Sequence, residues 1–440
     1  MTSSHNLQRL AVTFDAPSSV AHAGLLLPAT LAERLGLRRL IDKHVKLGEA
    51  PGAANAGRKA LTVVGSLLIG GDCIDDVDVL RKGNAEAVLG HQVAAPSTVG
   101  TFLRSFTAGH ARQLDAVMED LLQRAWDCGA GPDQARITVD LDSSVLETYG
   151  LQKQGGSGFA YTHVRGYHPL FAIVAEGGEV LHCRLREGRA HAGRGAGSFV
   201  RQALARLLRA GACSEIAVRA DSGFYSKKVV SACEQHGARF SISVRLQKGH
   251  HELIVAIPEE QWQAIPYWLE GAADVAEIAY APFGGKRIYR LVVRRVAPTP
   301  GSQLWLRGLE YSYYAFITDR EGELLEIEAD HRRHAEIENV IRELKYGFGL
   351  NHMPSGKFGA NAAWLSLNAI AYNLSRWLAR LGERASMQVK ALRHHLFALP
   401  GRLVRSARRQ RLRLPRDWPW QQQFVDLLAR LRAIPFPATG

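Results

Sequence analysis

Residues 136–142 read RITVDLD, a strict alternation in which Ile137, Val139 and Leu141 fall on one side and Thr138, Asp140 and Asp142 on the other. Strand side chains repeat every two residues, so the stretch predicts a β-strand that buries one face and gathers two acids on the other. The segments C-terminal to it decide the topology. The apolar runs HPLFAIVAE (168–176) and EVLHCRLRE (179–187) are separated by Gly177–Gly178, a pair suited to a hairpin turn, and complete a three-stranded antiparallel meander. Then come a helical stretch SFVRQALARLLRAGA (198–212), a strand EIAVRAD (215–221), a helix KKVVSACEQHG (227–237) and a strand RFSISVRL (239–246). The predicted order is βββαβαβ.

Residues 248–320 interrupt this alternation. IPEEQWQAIPYWL (257–269) is followed by the strand-like runs AEIAYAPF (276–283), KRIYRLVVRRV (286–296) and YSYYAFIT (311–318), which together read as a β-rich insertion. Trp262 and Trp268 read most simply as buried in the insertion's own core. Residues 1–130 read as helical, because LPATLAERLGLRRLIDKHV (27–45) and the stretch 97–126 space apolar residues by three and four. Pro96–Ser97 suggests a helix start with Ser97 as the cap. A helix presenting Ser97, Thr98, Thr101 and Arg104 is a candidate for a DNA groove, or else an amphipathic member of a bundle. NAAWLSLNAIAYNLSRWLARL (361–381) is helical again. The expected units are thus a helical DNA-binding region (1–130), a core in two parts (131–247 and 321–380) split by the insertion (248–320), and a basic helical C-terminal region (381–440).

A further segment, HRRHAEIENVIRELKYGFG (331–349), reads as a basic helix with carboxylates in its middle. At 3.6 residues per turn His331, His334, Arg342 and Lys345 share one stripe with Glu338, while Glu336 and Glu343 lie well off it. Glu338 is then an acid flanked by cations, an arrangement suited to a carboxylate that holds a metal beside phosphates. A solvated charged face, with Glu338 and Arg342 as an i,i+4 pair, is the plain alternative. In RADSGFY (219–225) an apolar strand runs into Asp221 and is stopped by Ser222–Gly223, which puts that acid where ligands commonly bind in α/β sheets. A turn or cap role is the alternative there.

The 440 residues carry a net charge of +13 and are 46% hydrophobic. Such a chain buries a large core and divides into two or three units. Its charge self-repels in the compact state and points to a polyanion, nucleic acid ahead of an anionic membrane surface. Between Arg384 and Leu414 lie nine Lys or Arg and no Asp or Glu, a segment suited to tracking a DNA backbone. No apolar run approaches the ~20 residues of a membrane helix, and the N-terminus lacks the pattern of a signal peptide, so a cytoplasmic location is expected. Cys73, Cys128, Cys183, Cys213 and Cys233 are scattered without a Cys-x-x-Cys pair, which argues against a disulfide framework and a thiolate zinc site. EGRAHAGRGAGSF (187–199) lacks the spacing of a phosphate loop and reads as a connector or a loop touching DNA. His163 and His168 read as structural.

A βββαβαβ order followed by a helix is that of an α/β, ribonuclease H-like fold, here a catalytic core with a β-rich insertion, flanked by helical N- and C-terminal regions. In that fold the first and fourth strands lie side by side at the sheet centre and a late helix crosses one face, so Asp142, Asp221 and Glu338 are expected to converge.

Roughly residues 85–380 resemble the DDE transposases of bacterial insertion sequences, in the branch with a β-rich insertion before the final glutamate. The resemblance is carried by LDSS (141–144) with TYGLQKQGG (148–156), by RGYHPL (165–170) and RADSGFY, and above all by residues 338–374, ENVIRELKYGFGLNHMPSGKFGANAAWLSLNAIAYNL. Glu338 and Lys345 match the last two members of the family pattern Tyr-x2-Arg-x3-Glu-x6-Lys, whereas His331 stands where Tyr is usual and His334 where Arg is usual. The small residues after Asp142 favour it over Asp140 as the family's first aspartate, with Asp140 left as a second acid on the same face. The resemblance implies that Asp142, Asp221 and Glu338 hold two Mg2+ ions, with Mn2+ as a substitute, for cleavage at transposon ends and strand transfer into target DNA. It implies DNA contacts from Lys345, Arg342, His334 and His331, to which the N-terminal helix adds Arg104, and a homodimer on paired double-stranded ends. For Trp262 and Trp268 it implies stacking on an extruded base as the alternative to burial. The rivals are a nuclease relative without strand transfer and a DNA-binding protein whose acids are structural.

Overall fold

A computed structural model describes residues 10–132, 136–160, 162–191, 193–212, 215–268, 272–298, 301, 310–406 and 409–437. Cys213 lies outside the described residues.

The N-terminal region is helical, as its spacing predicts. Residues 27–45 divide into Leu26–Arg34 and Leu37–His44 at Gly36, whose φ of +69° is a left-handed conformation that glycine adopts without steric cost. Helix α1 (Ala56–Ile69) follows, then α2 (Pro96–Arg104) and α3 (Ala108–Ala125). In α2 the flanking residue is Ala95 and Pro96 occupies the first helical position, so Ser97 is not the cap. Proline suits that position because its fixed φ is helical and its missing N–H would be unpaired there anyway. Val99, Phe102 and Leu103 of α2 are buried while Ser97 and Arg104 are exposed, the face pattern of an amphipathic bundle member.

The sheet is built as the alternation predicts. β1 (Arg136–Ser143), β2 (Leu170–Val174) and β3 (Val180–Arg184) form the antiparallel meander. After α4 (Ala196–Arg209), β4 (Glu215–Ala220) lies parallel to β1; after α5 (Lys227–Gln235), β5 (Arg239–Val244) lies parallel to β4. Strands β6 (Ala273–Tyr280), β7 (Tyr289–Val296) and β8 (Ser312–Thr318) come from the interrupting segment. They do not stand apart from the core: β8 pairs antiparallel with β5, so one mixed sheet runs in the order β3-β2-β1-β4-β5-β8-β7-β6, with Gln263–Ala264 at its edge. Trp262 and Trp268 are half-buried, the guanidinium of Arg295 lying 4.4 Å from the first ring and those of Arg294 and Arg332 each 5.0 Å from the second.

The late helical run starts at Leu324. It comprises α6 (Leu324–Arg332), a 3-10 turn (Arg333–Glu336), α7 (Ile337–Arg342) and a π turn (Glu343–Gly347), and it is followed by α8 (Phe358–Leu381). α8 is apolar nearly all round and correspondingly buried on nearly every face. Asn373 within it donates to the Val180 carbonyl at 2.9 Å and accepts from the Val180 amide at 2.8 Å, fastening the helix to the edge strand β3. Among the described residues no helix is long and apolar enough to cross a membrane.

The basic C-terminal segment, expected helical, is helical at Val389–Leu392, in a π turn at Arg393–Phe397 and at Gln421–Ala433, but between them it forms a hairpin of β9 (Gly401–Ser406) and β10 (Arg409–Arg413). Pro400 and Pro415 bracket it, and a helix cannot run through either.

Candidate active site

β1 and β4 pair in the register Asp140 with Arg219 and Leu141 with Ala220, so one further step brings Asp142 level with Asp221. Level residues on neighbouring strands share a face and strands lie about 4.8 Å apart, so Asp140, Arg219, Asp142 and Asp221 project from the same side of the sheet.

The two aspartates of β1 have different partners. Arg219 is buried to 1% exposure, and its Nε and Nη2 donate to the two oxygens of Asp140 at 2.7 and 2.8 Å. Its Nη1 donates to the Asp330 carbonyl at 2.7 Å, and Asp330 is paired with Arg136 at 2.9 Å and with Arg320. Burial would raise the Asp330 carboxyl, but Arg320, Arg219 and Arg136 hold it below the usual range. Asp140 is therefore enclosed in a buried ion network that ties β1 and β4 to α6. The acid side of RITVDLD is not a solvent face, because this network covers it.

Asp142 sits one pleat further on, half-buried, with Oδ1 accepting from the Ser143 amide at 2.6 Å. Burial pushes its carboxyl up to about 6; the negative charges of Asp221 and Glu338 add to the rise, while the Ser143 amide and His334 oppose it. Asp221 is raised by burial, against His334 and the amides of Gly223 and Phe224. Its Oδ1 accepts from the Gly223 amide at 3.1 Å, so the cap role weighed from the sequence is present as well. Glu338 is exposed on α7, which packs on β1. Its charge reaches Asp142, whereas the other two glutamates of the run turn elsewhere: Glu336 pairs with Arg333 at 3.1 Å, and Glu343 accepts from the Val389 amide at 3.2 Å.

The neighbouring basic residues divide. His334 Nε2 donates to the Leu141 carbonyl at 3.0 Å, joining the late helix to β1 beside the acids. Lys345 is half-buried; burial lowers its pKa and the charge of Asp142 opposes that fall. Arg342 Nη2 donates to Asn339 Oδ1 at 2.9 Å, and among the described residues no ion pair joins it to Glu338. His331 departs from the expected stripe. Its ring stacks on Phe316 with centroids 3.9 Å apart, its two nitrogens lie 2.9 and 3.0 Å from the hydroxyls of Ser241 and Ser243, and burial holds it well below the usual imidazole range. It fastens the helix to the sheet and has no nitrogen left for a phosphate. The stripe fails at His331 because the 3-10 turn at Arg333–Glu336 winds three residues per turn. Arg104 lines a shallow pocket with Ser97, Cys73, Asp75 and Pro354.

Sequence reading missed the partners that hold this site. Arg219 was signalled only as a charge inside an apolar strand. His168, expected to be structural, donates from Nδ1 to the Ala190 carbonyl at 2.7 Å and accepts at Nε2 from the Ser143 hydroxyl at 2.9 Å, steadying the residue after Asp142.

Carboxylate oxygens suit a hard divalent cation. Among the described residues the group of donors that all lie within 4.8 Å of one another is Asp72, Cys73 and Asp76; Asp142, Asp221 and Glu338 are spread wider as a trio. A trio serving two ions need not share one ligand sphere, since each ion takes its own subset of oxygens. In the first group Asp76 Oδ2 accepts from the amides of Asp72 and Cys73 at 2.8 and 3.1 Å, a local turn.

A comparison with curated proteins found no match. Among solved structures the chain is similar to a cryo-EM structure of a piggyBac transposase synaptic complex with hairpin DNA, at 10% identity and a TM-score of 0.46, covering 85% of this chain and 79% of that one. The family model described as transposase DDE domain, group 1, matches residues 3–436. With a match over nearly its whole length, the chain belongs to the DDE transposase family and is a DNA transposase.

Proposed function

We propose that this transposase cuts the ends of its own element and joins the freed 3′-hydroxyls to target DNA, with Asp142, Asp221 and Glu338 as its catalytic and metal-binding acids. The observation that carries the reading is that Asp142 comes level with Asp221 across two parallel strands and feels the charge of Glu338 from the late helix. The strand order β3-β2-β1-β4-β5, with β2 antiparallel to its neighbours, supports a ribonuclease H-like core for residues 131–247 and 321–380. Residues 248–320 are then an insertion that widens the sheet, 1–130 a helical DNA-binding region, and 381–440 a basic C-terminal region.

DDE transposases generally use divalent metal ions, and DNA is the substrate. Mg2+, with Mn2+ as a substitute, fits the donors here, because three carboxylates whose charges oppose one another gain from a shared cation. Two such ions would activate the attacking oxygen and stabilise the leaving one in an in-line displacement. In cleavage, the oxygen of water bonds to phosphorus as the bond to the 3′-oxygen breaks. In transfer, that 3′-hydroxyl is the attacking group and a target-strand 3′-oxygen leaves. Lys345, beside Asp142, would hold the phosphate next to the reacting strand, with His334, Arg342 and Arg104 as further DNA contacts. His334 does this while keeping the helix on β1. A homodimer on paired ends, an origin in a bacterial insertion sequence and a cytoplasmic location complete the reading. The test is nicking of duplex DNA carrying the element's ends, with and without Mg2+, followed by capture of the nicked strand in a target plasmid; nicking without capture leaves a nuclease.

The raised Asp142 carboxyl gives a pH dependence. A divalent ion must displace the proton held there, so Mn2+ affinity is expected to rise with pH until about 6 and to level off above it. In the metal-free protein the sign for stability is opposite. Folding holds this proton more tightly than the unfolded chain does, so this group's contribution is full below the ordinary carboxyl value of 3.8 and is lost as pH rises through about 6. Calorimetric Mn2+ titrations between about pH 5 and 8 check the first statement, and the inflection should vanish in Asp142→Asn.

A further inference from the structure

The hairpin of β9 and β10 joins Ser19–Val20 in a small sheet that is separate from the core sheet. Its register pairs Arg402 with Arg413, Leu403 with Leu412, Val404 with Arg411, Arg405 with Gln410 and Ser406 with Arg409. Paired residues share a face and faces alternate, so Leu403 and Leu412 lie on one side while Arg402, Arg409, Arg411 and Arg413 lie on the other. Leu403 and Leu412 pack against the main core, and a Cβ on Gly401 would come within 2.6 Å of the Ala23 Cβ, so the base of the ribbon sits tightly on the body. All four arginines are exposed. Arg402 donates to the Ser18 hydroxyl at 3.2 Å, and among the described residues none of the four is paired with a carboxylate.

We propose that this arginine face is a docking surface for duplex DNA, set on a two-stranded ribbon anchored at its base and reading charge rather than sequence. The inference rests on the chain acting on DNA. Like charges placed directly opposite, as Arg402 and Arg413 are, oppose the pairing of their strands unless an anion lies between them. A two-stranded ribbon has the width that the major groove admits, and its alternate residues meet the phosphates on one side. An anionic lipid surface is the poorer fit, because the face offers Val404 as its one apolar side chain, and binding in a membrane interface needs buried apolar area. An edge strand can also carry charge only to discourage pairing with other chains. That purpose does not account for Arg402, which is on the inner strand of the ribbon and shares the face.

The test is the salt dependence of binding to a labelled duplex of arbitrary sequence, measured in EDTA so that no cleavage intervenes. For full-length Arg409→Gln/Arg411→Gln/Arg413→Gln, the slope of log affinity against log salt is expected to flatten by about 2.7 relative to wild type, because each lost phosphate contact removes about 0.9. The corresponding triple Lys variant should keep the wild-type slope. The thermal midpoint of the Gln variant should hold or rise, since removing unpaired like charges relieves repulsion. A Gln variant with the wild-type slope overturns the proposal, whether or not it aggregates; so does a Lys variant that loses as much as the Gln variant. A wild type that binds no duplex overturns the surface and the DNA reading together. Failure of the catalytic reading is seen separately, as absence of metal-dependent nicking by a wild type whose salt slope is intact.

Discussion

Glu338→Gln is expected to lower metal-dependent cleavage on the order of 10³-fold while duplex binding in EDTA stays at the wild-type level. Glutamine keeps the shape of the side chain and removes its charge, so the loss is the carboxylate's share in holding a cation against the reacting phosphate. That share is several kcal/mol, and each 1.36 kcal/mol is a factor of ten in rate. Glu338 is exposed on α7, so its replacement leaves no hole in the core and the variant should fold normally. Asp142→Asn should lose cleavage similarly. Replacing Glu336 or Glu343 should not, since one is paired with Arg333 and the other accepts from the Val389 amide. If Glu338→Gln cleaves within tenfold of wild type, the acid of the late helix has been misassigned.

Arg219→Met is expected to destabilise the fold by about 3–5 kcal/mol at pH 7, the usual cost of leaving a buried charge without its partner. The guanidinium is closed bidentately on Asp140 and also donates to the Asp330 carbonyl; Asp330 keeps Arg136 and Arg320, whereas buried Asp140 has no other ion-pair partner among the described residues. Asp140→Leu/Arg219→Met should recover much of the loss, because two apolar groups of similar volume avoid the desolvation that the pair must overcome. Urea unfolding of the three proteins measures this. A single variant that costs under about 1 kcal/mol would mean that Asp140 is not committed to a structural pair, and it would return as a candidate for the first catalytic acid.

The core was legible because its signals are local and periodic. Alternation in RITVDLD, the Gly177–Gly178 turn and the two βα repeats made the βββαβαβ order legible, and the adjacency of Asp142 and Asp221 is expected from the ribonuclease H-like fold with that order; the register of β1 and β4 brings them level. The illegible features depended on contacts distant in sequence or on departures from regular geometry. RITVDLD gives no hint that Asp140 meets Arg219: the small residues after Asp142 favour that acid through the family resemblance, but the structural role of Asp140 emerges only when the fold brings Arg219 to it. The stripe through His331 assumed uniform winding, whereas the 3-10 turn between His331 and Glu338 rotates the two apart and sends His331 into the sheet. The joining of the insertion strands to β5 through β8 is likewise a long-range pairing that no local pattern announces.

The most direct test of convergence is to replace the catalytic cation with Fe2+, add ascorbate and map where the protein backbone is cut. Hydroxyl radicals made at the ion act only on its surroundings, so the map reports location without requiring any DNA or activity. If Asp142, Asp221 and Glu338 hold the cation, cuts should cluster around residues 142, 221 and 338, be suppressed by excess Mg2+, and fade in Asp142→Asn. Cuts confined to the neighbourhood of Asp72, Cys73 and Asp76, or unchanged in that variant, would contradict the assignment.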